Sequence, residues 1–285
     1  MISIKSEREI ELLRIAGHIV YETHQYLRPY VKEGITTKEL DTLAEEFIRS
    51  KGATPSFKGY DGFPATICTS INQEVVHGIP SNRRLRNGDI ISIDIGACYK
   101  GYHGDSAWSY AVGEISEKKK QLLIDTEKSL YVGLKEIKPG ARIGDIGNAI
   151  YNYATAHHLG VVRELVGHGV GTSVHEEPDV PNYGKAGTGP VLKEGMVIAV
   201  EPMLTLGRRD ICILDDEWTI ETIDNSPSAH YEHTVVVTKD GYEILTGEKP
   251  HGTMKFYSRN DITGRQSCSE IEPLKNRPGL DVWLI

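Results

Sequence analysis

The 285-residue sequence is 39% hydrophobic and 25% charged with a net charge of −8, an ordinary globular composition that offers no overall basic field to hold nucleic acid. No stretch approaches the roughly 20 apolar residues a bilayer span needs, and the opening Met-Ile-Ser-Ile-Lys-Ser does not read as a signal peptide. Cys68, Cys98, Cys212 and Cys268 are scattered without a Cys-x-x-Cys pair, which argues against a zinc knuckle or a disulfide framework and for a reducing, cytoplasmic setting.

Ser6-Glu-Arg-Glu9 forms a capping-box pattern ahead of Ile10, Leu13, Ala16 and Val20 at helical spacing, and this helix should fade before Pro29. A second helix is expected from Thr36-Thr-Lys-Glu39, with Leu40, Leu43, Ala44 and Phe47 on one face and a stop at Gly52. Residues 57–64 make a Gly-rich loop with aromatics. Strands are predicted over 65–71, 74–76, 89–98 and 102–112. Helices follow over 117–136 and 143–159, separated by Lys138-Pro-Gly140. Further strands fit 161–166, 170–174, 196–204, 211–213, 217–223, 231–238 and 242–245. Helix pairs followed by strand groups, twice over, predict an α+β fold with helices covering a curved, mainly antiparallel sheet. Beyond Glu248 periodicity is lost and turn-formers accumulate, so 249–285 reads as a loosely ordered or docked extension to a 1–248 domain.

The second occurrence echoes the first. Leu85-Arg-Asn-Gly-Asp-Ile-Ile-Ser-Ile-Asp94 and Leu192-Lys-Glu-Gly-Met-Val-Ile-Ala-Val-Glu201 each feed an apolar run that delivers a carboxylate, and a shift of 107 places Gly88 on Gly195 and Asp94 on Glu201. Gly34-Ile-Thr-Thr-Lys-Glu-Leu40 matches Gly140-Ala-Arg-Ile-Gly-Asp-Ile146, and Val76-His77-Gly-Ile-Pro80 matches Val174-His175-Glu-Glu-Pro178. The common order points to an internal duplication with one site assembled from two halves.

A carboxylate in a buried strand is costly unless it is paired or binds a metal. Asp94 and Asp105 lie eleven apart on neighbouring predicted strands, so a hairpin can bring both to one face and one end. His168 sits in Gly167-His-Gly169-Val-Gly171, where small neighbours leave room for an imidazole; Glu201 closes the second apolar run, and Glu232 opens another. Two Asp, two Glu and one His at strand ends suit two hard or borderline divalent ions, whose chemistry is hydrolysis by an activated water. Other motifs fail: the Gly167-x-Gly-x-Gly171 cluster lacks dinucleotide spacing, and neither a Gly-x-Ser-x-Gly elbow nor a phosphate-binding loop appears. Arg83-Arg84-x-Arg86 and Lys118–Lys120 are short surface clusters.

The segments Asn72–Pro80, Ile93–Gly96, Gly104–Ser106, Gly167–Gly171, His175–Pro178, Glu201–Met203 and Tyr231–Thr234 together resemble type I methionine aminopeptidases over residues 3–247. The resemblance implies the pita-bread fold, two α+β halves related by pseudo-twofold symmetry. It implies Asp94, Asp105, His168, Glu201 and Glu232 as ligands of two divalent ions, Fe(II), Mn(II), Co(II) or Zn(II), with Asp105 and Glu232 bridging and Glu201 also the general base. His175 matches a non-ligand histidine at the scissile amide, and His77 a second one on the leaving side. Tyr60, Phe63, Cys68 and Trp218 match positions enclosing the methionine side chain; Phe63 stands where many relatives have Tyr, and Asp61 where some have His. The implied role is removal of initiator methionine from nascent chains near the ribosome exit by a monomer. X-Pro peptidases share the fold and ligands but usually carry an additional N-terminal domain, and non-catalytic relatives that bind protein or RNA lose ligands. The type II branch has a large insertion between the positions of Glu201 and Glu232 that is missing here.

Overall fold

The structure, a computed structural model, describes residues 1–248; the expectation of a loosely ordered 249–285 extension lies outside the described residues. In chain order the elements are α1 Glu7–Leu27, α2 Thr37–Ser50, β1 Thr54–Pro55, β2 Ile67–Ile71, β3 Glu74–Val76, β4 Ile90–Tyr99, β5 Tyr102–Ala111, α3 Glu117–Leu134 and α4 Ile143–Ala156. They continue with β6 Gly160–Val161, β7 Gly167–Gly169, β8 Glu176–Val180, β9 Val197–Val200, β10 Met203–Thr205, β11 Ile211–Ile213, β12 Ile220–Thr222, β13 Ser228–His230, β14 His233–Val237 and β15 Tyr242–Ile244.

The helix starts follow their local signals. The Glu9 carboxylate accepts from the Ser6 N–H at 2.8 Å, and Glu39 accepts from the Thr36 N–H at 2.7 Å while Thr36 Oγ1 accepts from Glu39 at 3.1 Å. Each half of the chain then buries its own core. Leu40, Ile48, Ile91, Ile93 and Ile95 anchor the first, and Leu130, Ile146, Ile150, Ile198 and Val235 the second. Trp108 packs against both cores.

In the first half β4 carries β5 along one edge, while β1 and β2 pair with it as well; in the second the sheet runs β15-β14-β9-β7-β8. Both sheets pair antiparallel throughout. A small sheet, β11-β12-β3, joins strands from the two halves. The halves also meet along β5. Thr234 Oγ1 donates to Asp105 O at 2.7 Å and accepts from its N–H at 3.2 Å, Ser106 Oγ donates to Glu232 O at 2.6 Å, and the Glu232 N–H donates to Ala107 O at 2.9 Å.

Several predicted strands differ from those observed. The run over 170–174 forms no strand; the ladder partner is Gly167–Gly169 instead. The strand predicted over 161–166 shrinks to Gly160–Val161, and the 196–204 run breaks at Glu201-Pro202 into β9 and β10. Proline has no N–H to offer a ladder, which explains that break. Strands β1, β8 and β13 carry no periodic signal, and the sequence does not predict them.

Candidate metal centre and its pocket

The β4–β5 hairpin turns through Lys100 and Gly101, both at positive φ (49° and 83°), the two-residue turn whose twist suits a right-twisted hairpin. Its register pairs Asp94 with Ala107 and Asp105 with Gly96, so the two aspartates share one face on a diagonal. They stand near the middle of their strands rather than at the strand ends expected. A mid-strand position allows it because this face looks into a cavity, not a packed core. Glu201 and Glu232 follow the expectation more closely: Glu201 directly follows β9 and Glu232 directly precedes β14, which pair His233 with Val200.

His168 is the central residue of β7. A Cβ on Gly167 would lie 2.3 Å from Ala199 O, and one on Gly169 2.3 Å from Glu177 O. The flanking glycines thus let the backbones of β9 and β8 close in, rather than clearing space for the ring. His168 Nδ1 lies 2.9 Å from Gly169 O, and since a carbonyl only accepts, Nδ1 carries the proton. Nε2 is left with its lone pair, 3.7 Å from Asp105 Oδ2 and 3.4 Å from Glu201 Oε1. That is the tautomer a metal-binding imidazole needs.

All five expected residues line one cavity of about 270 Å³. Their donor atoms form overlapping groups within 4.8 Å: Asp94, Asp105 and Glu232; His168, Glu201 and Glu232; and Asp105, His168 and His175. Asp105, His168 and Glu232 each fall in two groups. The third group brings in His175, whose ring centroid is 4.2 Å from that of His168. Burial, and for the two aspartates and Glu232 the neighbouring carboxylates, push these acids upward: Asp94 to about 6, Glu201 to about 8 through burial, and Asp105 and Glu232 well above the carboxylate range. Burial, then His175, drives His168 down to about 3.

Asp94 Oδ1, Asp105 Oδ1 and Glu232 Oε1 are buried and have no hydrogen-bond partner. Buried polar atoms are nearly always satisfied, so three orphaned acid oxygens converging on one cavity fit divalent cations. The oxygen-rich set with a neutral imidazole also matches the chemistry of such ions.

The rest of the cavity is the expected pocket. Tyr60, Phe63, Cys68, His77, His175 and Trp218 all line it. Phe63 and Trp218 meet edge to face at 5.2 Å, and Tyr60 OH lies 3.1 Å from His175 Nδ1. His77 adopts φ 60°, a left-handed backbone sparsely used by residues other than glycine, and burial lowers its imidazole to about 4. Asp61, at φ 48°, is also at the cavity. Sequence reasoning missed His230, which is 1% exposed and faces Glu201. The available signal was spacing, because in extended chain the residue two before Glu232 shares its face.

The profile of metallopeptidase family M24 matches residues 11–239. Methionine aminopeptidase 1 of Bacillus subtilis (strain 168) is 54% identical over 246 residues, 86% of this chain and 99% of that protein. The crystal structure of methionine aminopeptidase from Rickettsia prowazekii superposes with a TM-score of 0.86 at 44% identity, covering 87% of this chain and 100% of that one. Prolidase from Pyrococcus furiosus, with a TM-score of 0.70 at 24% identity and covering 86% of this chain and 66% of that one, shares the fold alone. The fold and the acid-lined cavity define a metallopeptidase of the pita-bread class. The chain belongs to metallopeptidase family M24 and, within it, to the methionine aminopeptidases.

Proposed function

We propose that this chain is a metal-dependent aminopeptidase that removes the initiator methionine from nascent polypeptides when the second residue is small. It acts as a cytoplasmic monomer near the ribosome exit, with residues 1–248 as the catalytic unit and 249–285 appended. The carrying observation is one cavity lined both by orphaned carboxylate oxygens and by the Phe63–Trp218 edge-to-face pair. An unbranched thioether suits such a partly aromatic slot.

Asp94, Asp105, His168, Glu201 and Glu232 would hold two divalent ions. The ions supply Lewis-acid polarisation of the carbonyl and make water nucleophilic at neutral pH. Glu201 takes the proton released as water adds to the scissile carbonyl carbon. As the C–N bond breaks, that proton passes to the departing amine. His175, tethered through Nδ1 by Tyr60, donates to the carbonyl oxygen as it gains charge. His77 sits against the amide nitrogen and the leaving side. Phe63, Cys68 and Trp218 enclose the methionine side chain and exclude water from it.

The test is hydrolysis of Met-Ala, Met-Gly and Met-Lys peptides by protein stripped with a chelator and then reloaded with Mn(II) or Co(II). Cleavage of the first two, sparing of Met-Lys, and silence before reloading are expected. Equal turnover of Met-Ala and Met-Lys counts against the proposal.

A further inference from the structure

We infer that His230 is a positioning residue that holds the Glu201 carboxylate in its working orientation. The inference rests on the reading of Glu201 as ligand and proton acceptor. His230 lines the cavity, is 1% exposed, and its Nε2 is buried without a hydrogen-bond partner. The atom it faces is Glu201 Oε2, at 3.4 Å.

The other oxygen of the same carboxylate, Oε1, lies 3.4 Å from His168 Nε2. Glu201 is thus flanked by two imidazoles, one at each oxygen. The Nδ1 hydrogen bond of His168 leaves its Nε2 as a lone pair directed at the metal cage. An Nε2–H on His230 is the complementary choice, because a carboxylate oxygen accepts and cannot donate. At 3.4 Å the pair is just beyond a formed hydrogen bond, a spacing typical of catalytic contacts that tighten once the site is loaded.

The base of the imidazole is rigid. The His230 N–H donates to Ser109 Oγ at 2.9 Å, Ser109 Oγ donates to His230 O at 3.0 Å, and His230 pairs with Met203, two residues beyond Glu201. The Glu201 main chain is held too, with Asn182 Nδ2 donating to its carbonyl at 3.0 Å. Both partners are anchored, so the Nε2–Oε2 direction is fixed by the fold. Outer groups that orient a ligand in this way are commonly worth about 10- to 100-fold in metal affinity or activity.

The experiment compares wild type, His230→Leu and His230→Gln, using Met-Ala peptide turnover and Mn(II) calorimetry. Gln places an amide N–H the same number of bonds from Cα as Nε2 and carries no titratable group. His230→Leu should lower kcat by about 10- to 100-fold with KM within roughly twofold, and weaken Mn(II) binding about tenfold at unchanged stoichiometry. His230→Gln should recover most of both losses. If His230→Leu does not fold, His230→Asn, one bond too short to reach Glu201, takes its place. Wild-type values in the Leu or Asn variant overturn the inference. So does a Gln variant no better than them, or loss of one bound ion at saturating Mn(II), which marks His230 as a ligand. A wild type inactive on Met-Ala would instead refute the proposed function.

Discussion

In the first half, Asp94 and Asp105 stand eleven positions apart on a hairpin paired from Ile90–Ala111 to Tyr99–Tyr102. In the second, thirty-one positions separate Glu201 from Glu232, and the ladder beside them runs only from His233–Val200 to Val236–Val197. The first pair inherits its geometry from a local register. The second depends on the intervening chain being folded, and that chain supplies β10 to β13 and Trp218. One half is a rigid acid platform, and the other assembles acid, base and pocket wall together. The second half should therefore carry the proton acceptor, while the first, apart from His77 and the pocket residues Tyr60, Phe63 and Cys68, mainly supplies metal ligands.

The largest effect expected from that contrast comes from two near-isosteric changes. Glu201→Gln should abolish turnover at any metal concentration, because it removes a ligand and the proton acceptor together, a loss of several kcal/mol or on the order of 10³-fold or more. Asp94→Asn removes one ligand from the platform, and excess Mn(II) should restore part of its activity. Activity against metal concentration for both variants is the measurement. Equal rescue would erase the distinction between the halves.

A smaller effect separates two histidines that stand ring to ring. His175→Ala should lower kcat by about 10²–10³-fold with metal occupancy near normal, because it loses a donor to charge developing in the transition state. His168→Ala should lower metal affinity instead. The proximity of His175 to Asp105 and His168 makes this a demanding test. Full rescue of His175→Ala by excess metal would show it to be a ligand.

Much of this was legible in the sequence, for local reasons. Capping boxes mark the starts of α1 and α2, and the turn-formers from Lys100 mark a hairpin between the two runs that carry Asp94 and Asp105. What was not legible is tertiary. β8 reads Glu-Glu-Pro-Asp-Val, a poor strand by composition, yet it lies at the sheet edge beside β7, where a proline is tolerated. β7 is Gly-His-Gly, a strand only because its glycines admit two neighbouring backbones. The positive φ of His77 and the contact between His230 and Glu201 likewise arise from packing.

Removing the metal should reveal the same acids through stability. In the folded chain Glu201 is raised to about 8 from 4.5 and Asp94 to about 6 from 3.8, so the unfolded state gives up these protons first as pH rises. Groups raised on folding stabilise fully below their unfolded pKa and lose that contribution as pH climbs through the folded value. Between about pH 7 and pH 8, above the unfolded imidazole range, chelated protein should therefore melt at progressively lower temperature; at lower pH the buried histidines lowered on folding, His77 to about 4 and His168 to about 3, pull the slope the other way. Saturating Mn(II) should flatten or reverse the slope, since the ionised acids then face a cation. A chelated Tm that rises with pH across this window would contradict the buried-acid account.

The smallest effect probes the platform alone. Gly101 sits at φ 83° with open space where a Cβ would go, so Gly101→Ala meets no clash and costs only backbone strain, about 1 kcal/mol. For a folded unit of this size that is a Tm drop of roughly 2–4 °C. The ladder from Ile90–Ala111 to Tyr99–Tyr102 holds the register without help from the turn, so Asp94 and Asp105 should stay in place. Turnover of Met-Ala and Mn(II) affinity should then match wild type even as Tm falls. If Gly101→Ala instead loses metal affinity, the turn sets the spacing of the two aspartates, and the first half is no more self-sufficient than the second.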